Sequence, residues 1–308
     1  MRVAVTGASG RLGRALVKAL EDAPFTGLTG PTAWGRLQID LDYLTADSVA
    51  SLIDRDRPEV IIHAAAWTDV DACARDPKLA RRRNATATGM IAQACASRGT
   101  SLAIISTNEV FDGRRTDGAG YRPNDPVGPI NPYGASKLEG EQRALDAMAS
   151  GGRAGLAIVR TSWLHGPPGH DFPAKIAAAA QRSSAAGEAL RVVSDEIGCP
   201  TYAPDVAEAI TELIAEDELC RLNEPPRIHH LVNGGRASRA EWARAVLDGV
   251  GIQVELEEVP ASTWQRISTP PLWAVLEPTP MPSGEPMRPW TEALADAIPA
   301  LRRGLQTT

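Results

Sequence analysis

Apolar positions along the chain follow two different periods. Short continuous apolar runs at Arg2–Thr6, 59–63, 102–105 and 156–159 read as strands buried on both faces. Between them the apolar residues recur every three or four positions. Leu12, Leu16, Val17 and Leu20 mark one helix, and the stretches 79–98 and 133–148 mark two more. A second strand is expected to end near 33–36. This alternation predicts an α/β fold with a parallel sheet covered by helices on both faces.

The pattern changes after about residue 165. Pro167-Pro168-Gly169 marks a loop, and 262–289 is rich in Pro and Trp, which excludes regular helix or central strand there. The segment 113–120 (GRRTDGAG) reads as an exposed polar loop. Ligands of open α/β sheets bind at the carboxyl ends of the strands, where late irregular segments can cap the edge. The expected division is a dinucleotide-binding domain over 1–165, joined by about 190–235, with 166–308 mainly a smaller substrate lobe interleaved with the sheet.

Composition narrows the function classes. The chain has 308 residues, is 43% hydrophobic and carries a formal charge of −6. Without a basic block, nucleic acid is not the expected partner. No apolar run approaches the roughly 18 residues of a membrane span. The first strand starts at residue 2 and leaves no room for a signal peptide, so the expected location is the cytoplasm. Cys73, Cys95, Cys199 and Cys220 lack zinc-ligand spacing and read as reduced thiols. Only four of the 32 cationic residues are lysines: Lys18, Lys78, Lys137 and Lys175. A lysine in this chain therefore stands out.

Gly7, Gly10 and Gly13 form GxxGxxG between the first strand and the first helix. Glycines there let the backbone turn sharply and approach a pyrophosphate at the helix N-terminus. The sheet is thus expected to be a doubly wound Rossmann-type sheet. An acid that would bond a ribose 2′-hydroxyl is absent between Asp22 and Asp40, and Arg36 offers a cation for a 2′-phosphate. The expected cofactor is NADPH, with NADH left open.

The sharpest motif is Asn131-Pro132-Tyr133-Gly134-Ala135-Ser136-Lys137. Asn131 suits a helix N-cap and Pro132 the first helical residue. Tyr133 and Lys137 then share one helix face. An ammonium beside a phenol, at a helix N-terminus, is expected to lower the phenol pKa and ready it for proton transfer. Ser106 and Thr107 end the strand that starts at 102, where a hydroxyl could hold a substrate oxygen.

Together these residues resemble the extended short-chain dehydrogenase/reductases, and within them the dTDP-4-dehydrorhamnose reductases. Residues 60–71 (VIIHAAAWTDVD) are similar to that family's VINAAAYTAVD, and 106–113 (STNEVFDG) to its STDYVFDG. Further matches are 131–141 (NPYGASKLEGE), 160–163 (RTSW), 197–202 (IGCPTY) and 288–290 (RPW). The resemblance implies reduction of the 4-keto group of a dTDP-linked deoxysugar, the last step towards dTDP-L-rhamnose. It implies Thr107, Tyr133 and Lys137 as catalytic residues. The cofactor would be lined by Gly10, Arg11, Leu12, Asp40, Leu41, Ala64, Ala65 and Ala66, and the sugar nucleotide by Thr68, Asn108 and Trp163.

The chain departs from the family at Asn108-Glu109, where Asp-Tyr is usual, at Trp67, and at His165, where Tyr is usual. Position 15 is Ala, not the acid that some relatives use in a magnesium-linked dimer, so no metal is expected; a homodimer stays open. His63, His229 and His230 sit on apolar runs and read as structural. Two other functions remain open: a sugar-nucleotide epimerase or dehydratase, and a non-catalytic NADP-binding subunit similar to the regulatory subunit of methionine adenosyltransferase.

Overall fold

The computed structural model describes residues 1–23, 29–149, 154–167, 169–220 and 224–306. Pro168 of the expected 167–169 loop lies outside them. Six parallel strands form the main sheet: β1 (Arg2–Thr6), β2 (Thr29–Trp34), β3 (Val60–His63), β4 (Ser101–Thr107), β5 (Leu156–Thr161) and β6 (Arg227–His230). Their order is β6-β5-β4-β3-β1-β2. The chain leaves β1 towards one edge and returns to β3 on the other side. The crevice between β1 and β3 is therefore the topological switch point, where such sheets bind ligands.

Helices cover both faces because every strand alternates into apolar layers. Leu12, Leu16 and Leu20 of α1 (Arg11–Asp22) pack with Val206 and Ile210 of a later helix on one face. On the other lie α2 (Ala46–Asp56), α3 (Ala87–Arg98) and α4 (Pro132–Ala149), through Val49, Ile53, Ile91 and Met148. Later helices are α5 (Phe172–Ala186), α6 (Ala203–Ala215), α7 (Arg239–Val250) and α8 (Trp290–Gln306), and the short helices Val70–Arg75 and Pro77–Ala80 lie between β3 and α3. A separate core of Ile176, Trp242, Val246 and Leu294 joins α5, α7 and α8 into a smaller lobe.

The stretch 190–235 divides between these bodies. Leu190–Val193 pairs with Leu256–Val259 beside the lobe, whereas α6 packs on the main sheet and β6 is its edge strand. The segment 262–289 holds only a helical turn and the short strand Trp273–Ala274, paired with Ile197–Gly198. Most of 113–120 is exposed, but Gly113 is buried and packs so closely on Pro271 that a Cβ would collide with it.

The predicted helix over 79–98 is interrupted. Pro77–Ala80 is helical, Arg81–Thr86 forms a π-helical turn, and only then does α3 begin. Asn84 accounts for this local widening. Its Oδ1 accepts the Trp67 N–H at 2.8 Å, and its Nδ2 donates to Trp67 O and to Ser136 Oγ, both at 3.0 Å. Single π-turns inserted into a helix in this way are found frequently at functional sites.

Candidate active site

The glycine loop sits at the switch point. Gly7 has φ of 67°, and a Cβ on it would meet Ala65 N at 2.7 Å. A Cβ on Gly13 would collide with the Gly7 carbonyl, so the first turn of α1 lies directly on the loop. Gly10 begins α1 without a side-chain cap and no acid occupies the first turn. Its N–H groups and positive dipole end are suited to a diphosphate. Leu12 is buried beneath the loop. Arg11 points away, donating from Nε to Gly166 O at 3.1 Å and lying 3.7 Å from Asp171.

Ala64, Ala65 and Ala66 follow β3 beside this loop. Thr6 Oγ1 accepts the Ala65 N–H at 3.2 Å and lies 2.7 Å from His63 Nδ1. Beyond β2, Arg36 is exposed and 3.6 Å from Asp40. Leu41 packs on the sheet core. The next residue, Asp42, is clasped by Arg83 at 2.6 and 2.7 Å and by Arg82 at 3.1 Å, which lowers its pKa to about 2. The cationic surface at the far end of β2 thus includes Arg82 and Arg83, which sequence reasoning passed over.

Asn131 caps α4 as expected: Oδ1 accepts the Gly134 N–H at 2.8 Å, and Pro132 opens the helix. Tyr133 and Lys137 are both buried on this helix, 9% and 6% exposed. Thr107, at the carboxyl end of β4, lies close enough to the Tyr133 phenol to act on its pKa. Lys137 lies close enough to the end of β3 for its charge to act on His63. The three residues therefore gather beside the switch point.

The electrostatics differ from the sequence expectation. Burial and then the Glu109 carboxyl push the Tyr133 pKa up, with only the Thr107 hydroxyl acting downwards. Lys137 is not among the groups that shift the phenol, and burial lowers its own pKa to about 8 against the pull of Glu141. The phenol is thus held neutral, as a proton donor requires, rather than primed as phenolate.

Asn108 is buried, accepting from Thr107 Oγ1 at 3.3 Å and donating to Ala274 O at 3.4 Å. Thr68 is exposed. Trp163 takes φ of 42°, and the Arg239 guanidinium lies 3.5 Å from its ring centroid. Trp242 stacks on it at 5.6 Å, and a Cβ on Gly198 would meet its ring at 2.5 Å. Arg239 and Arg266 both pair with the buried Glu196, at 3.4 and 2.9 Å. These lobe residues had no local motif to mark them. The expected structural histidines are buried, and burial lowers His63 to about 3 and His229 and His230 to about 4. Among the described residues, no three His, Cys, Asp or Glu side chains gather as a metal site.

A six-stranded parallel sheet with a glycine loop at its switch point and a Tyr–Lys helix beside β4 defines a Rossmann-type protein of the short-chain dehydrogenase/reductase kind. The chain belongs to the RmlD substrate binding domain family, which matches residues 1–303. It is 33% identical over 304 residues to a dTDP-4-dehydrorhamnose reductase of Mycolicibacterium smegmatis, covering 97% of this chain and 86% of that protein. The crystal structure of a dTDP-4-dehydrorhamnose reductase from Clostridium acetobutylicum aligns with TM-score 0.86 and 28% identity, over 98% of this chain and 100% of that one. A Bacillus anthracis dTDP-4-dehydrorhamnose reductase in complex with NADP aligns with TM-score 0.81 and 28% identity, over 100% and 99%.

Proposed function

We propose that the protein is an NADPH-dependent reductase of the 4-keto group of a dTDP-linked 6-deoxysugar, acting in dTDP-L-rhamnose formation. The observation that carries this reading is the gathering of Thr107 with the buried Tyr133 and Lys137 beside the switch point, at the carboxyl end of β4. Nearly full-length similarity to proteins named for this activity supplies the substrate.

The residues present fit a dinucleotide. Gly7 and Gly13 form a cradle that a Cβ would fill, and the first turn of α1 presents open N–H groups. Gly10, Arg11 and Leu12 follow that cradle, Ala64 to Ala66 flank it, and Arg36, Asp40 and Leu41 lie where an adenosine ribose would reach. When bound, the reduced nicotinamide supplies the hydride for the carbonyl carbon. Tyr133 donates the proton that the carbonyl oxygen gains. Thr107 holds that oxygen beside the phenol, and Lys137 supports Tyr133 and bonds the nicotinamide ribose. Thr68, Asn108 and Trp163 border the sugar nucleotide. Residues 1–165, with α6 and β6, serve the cofactor, and the lobe serves the sugar. No helix among the described residues is long and apolar enough to cross a membrane. We place the enzyme in the cytoplasm with a small-molecule partner.

The test is NADPH oxidation with dTDP-4-dehydrorhamnose, followed by a panel of 4-keto sugar nucleotides. Turnover with the first is expected. Tight NADPH binding without turnover of any keto sugar nucleotide would reject the catalytic reading in favour of a regulatory subunit.

A further inference from the structure

Glu109 stands two residues beyond Thr107, in the helical turn Asn108–Val110, and contacts both Thr107 and the start of α4. Its N–H donates to Thr107 Oγ1 at 3.2 Å. Its carbonyl lies against the start of α4, where a Cβ on Gly134 would collide with it. Its Oε2 accepts the Asn131 Nδ2–H at 2.6 Å, while Asn131 Oδ1 holds the Gly134 N–H. One residue thus links the Thr107 hydroxyl to the cap of the helix that carries the phenol.

We propose that Glu109 is a positioning residue for the reduction, fixing Tyr133 through Asn131 and Thr107 and placing a negative charge beside the phenol. The inference rests on the reading of Tyr133 as proton donor.

The groups that face this pair can be named. Arg239, Arg266 and Glu196 of the lobe act on Glu109, as does the Asn131 amide. Cys73, on the short helix Val70–Arg75, acts on Tyr133. The two arginines are shared with Glu196, so they neutralise Glu109 only in part. Burial raises the Glu109 carboxyl pKa, and the Asn131 bond and Arg239 oppose that rise. Burial raises the phenol too, from a much higher starting value, so Glu109 ionises first and is a carboxylate over the alkaline range where Tyr133 would lose its proton. A like charge beside a phenolate disfavours it. Glu109 therefore extends upwards the pH range in which Tyr133 can give a proton to a carbonyl. It opposes the reverse reaction, which needs a phenolate as base.

Glu109→Gln separates charge from structure, since a Gln Oε1 can still accept the Asn131 N–H. NADPH affinity and melting temperature should stay close to those of the unmodified enzyme. Lys137 loses its charge near pH 8 and sets the alkaline fall of kcat/KM in both proteins, so the readout is the carbon-13 signal of the Tyr133 ring, whose titration should begin at a pH lower by roughly half a unit or more. Glu109→Ala removes the cap contact as well and should also lower kcat. A purely structural role predicts lower melting temperatures and an unmoved Tyr133 titration, and an unmoved titration in Glu109→Gln would overturn the inference while leaving the reductase reading intact. If the unmodified protein turns over no keto sugar nucleotide, that reading fails instead. Carbon-13 labelling of the tyrosine rings then decides, with the Tyr133 signal assigned through Tyr133→Phe. Onset of titration at lower pH in Glu109→Gln supports the inference, and the same onset in both proteins rejects it.

Discussion

The Glu141 carboxylate takes two hydrogen bonds from the Arg160 guanidinium, from Nε at 3.1 Å and from Nη2 at 2.7 Å, with both side chains buried. Ser106 Oγ adds a third at 2.5 Å. Glu141 lies one turn after Lys137 on α4, so this clamp ties the catalytic helix to β4 and β5. It also divides the charge of Glu141. Burial of the Lys137 ammonium outweighs the pull that Glu141 exerts on it.

Lys137 should therefore cost stability. Its folded pKa of about 8 lies below the ordinary 10.5. Between these values the unfolded chain binds more protons, so this group's contribution improves as pH rises from about 8 and is at its worst below that. Lys137→Met should raise the unfolding free energy at neutral pH by about 1–3 kcal/mol, within the limit set by the pKa difference. The same variant should bind NADPH more weakly and turn over more slowly. Denaturant unfolding and cofactor titration check both; a destabilised variant would show that the ammonium is well paired.

Tyr133→Phe keeps the ring that fills the space beside Cys73 and Ala80. Folding and NADPH affinity should survive, and kcat should fall by about 10²–10⁴ because the carbonyl oxygen loses its proton donor. Steady-state kinetics with dTDP-4-dehydrorhamnose read this out. Full activity would remove Tyr133 from the mechanism.

Arg36 is loosely paired with Asp40 and mostly exposed, so it is free to turn towards a 2′-phosphate. NADPH should bind more tightly than NADH, and Arg36→Ala should narrow the gap. A single exposed charge-assisted contact supports a change of about tenfold. Fluorescence titration of both cofactors decides; equal affinities in the unmodified protein would remove Arg36 as the selector. A preference that survives in Arg36→Ala would point to Arg82 and Arg83.

What the sequence made legible was local. GxxGxxG places its loop because three glycines within seven residues act on one another, and Asn131-Pro132 announces a helix start through its own backbone chemistry. The sign of the Tyr133 shift was not legible. It depends on burial and on Glu109, 24 positions earlier, which only the β4–α4 contact brings together. The π-turn at Arg81–Thr86 was hidden for the same reason, since Asn84 answers to Trp67 and Ser136. The stack of Arg239 on Trp163 joins positions 76 apart and leaves no periodic trace.

The buried histidines predict how the protein meets acid. His63, His165, His229 and His230 are at most 5% exposed. Burial lowers His63 to about 3 and the other three to about 4. Each folded pKa lies below the ordinary 6.5, so the unfolded chain takes up protons that the native chain refuses. Stability from these groups is complete above about 6.5 and is lost as pH falls towards 4. With four such sites the slope approaches about 5 kcal/mol per pH unit near its steepest. The denaturation midpoint should therefore drop sharply between pH 6 and 5. His165 isolates one share of this. Both of its ring nitrogens are buried without a hydrogen-bond partner, beside Tyr202 and Trp242. His165→Phe should keep that aromatic packing, stabilise the protein slightly at pH 7, and reduce proton uptake on unfolding at pH 5 by about one. Unchanged proton uptake would mean that His165 is already protonated in the native state.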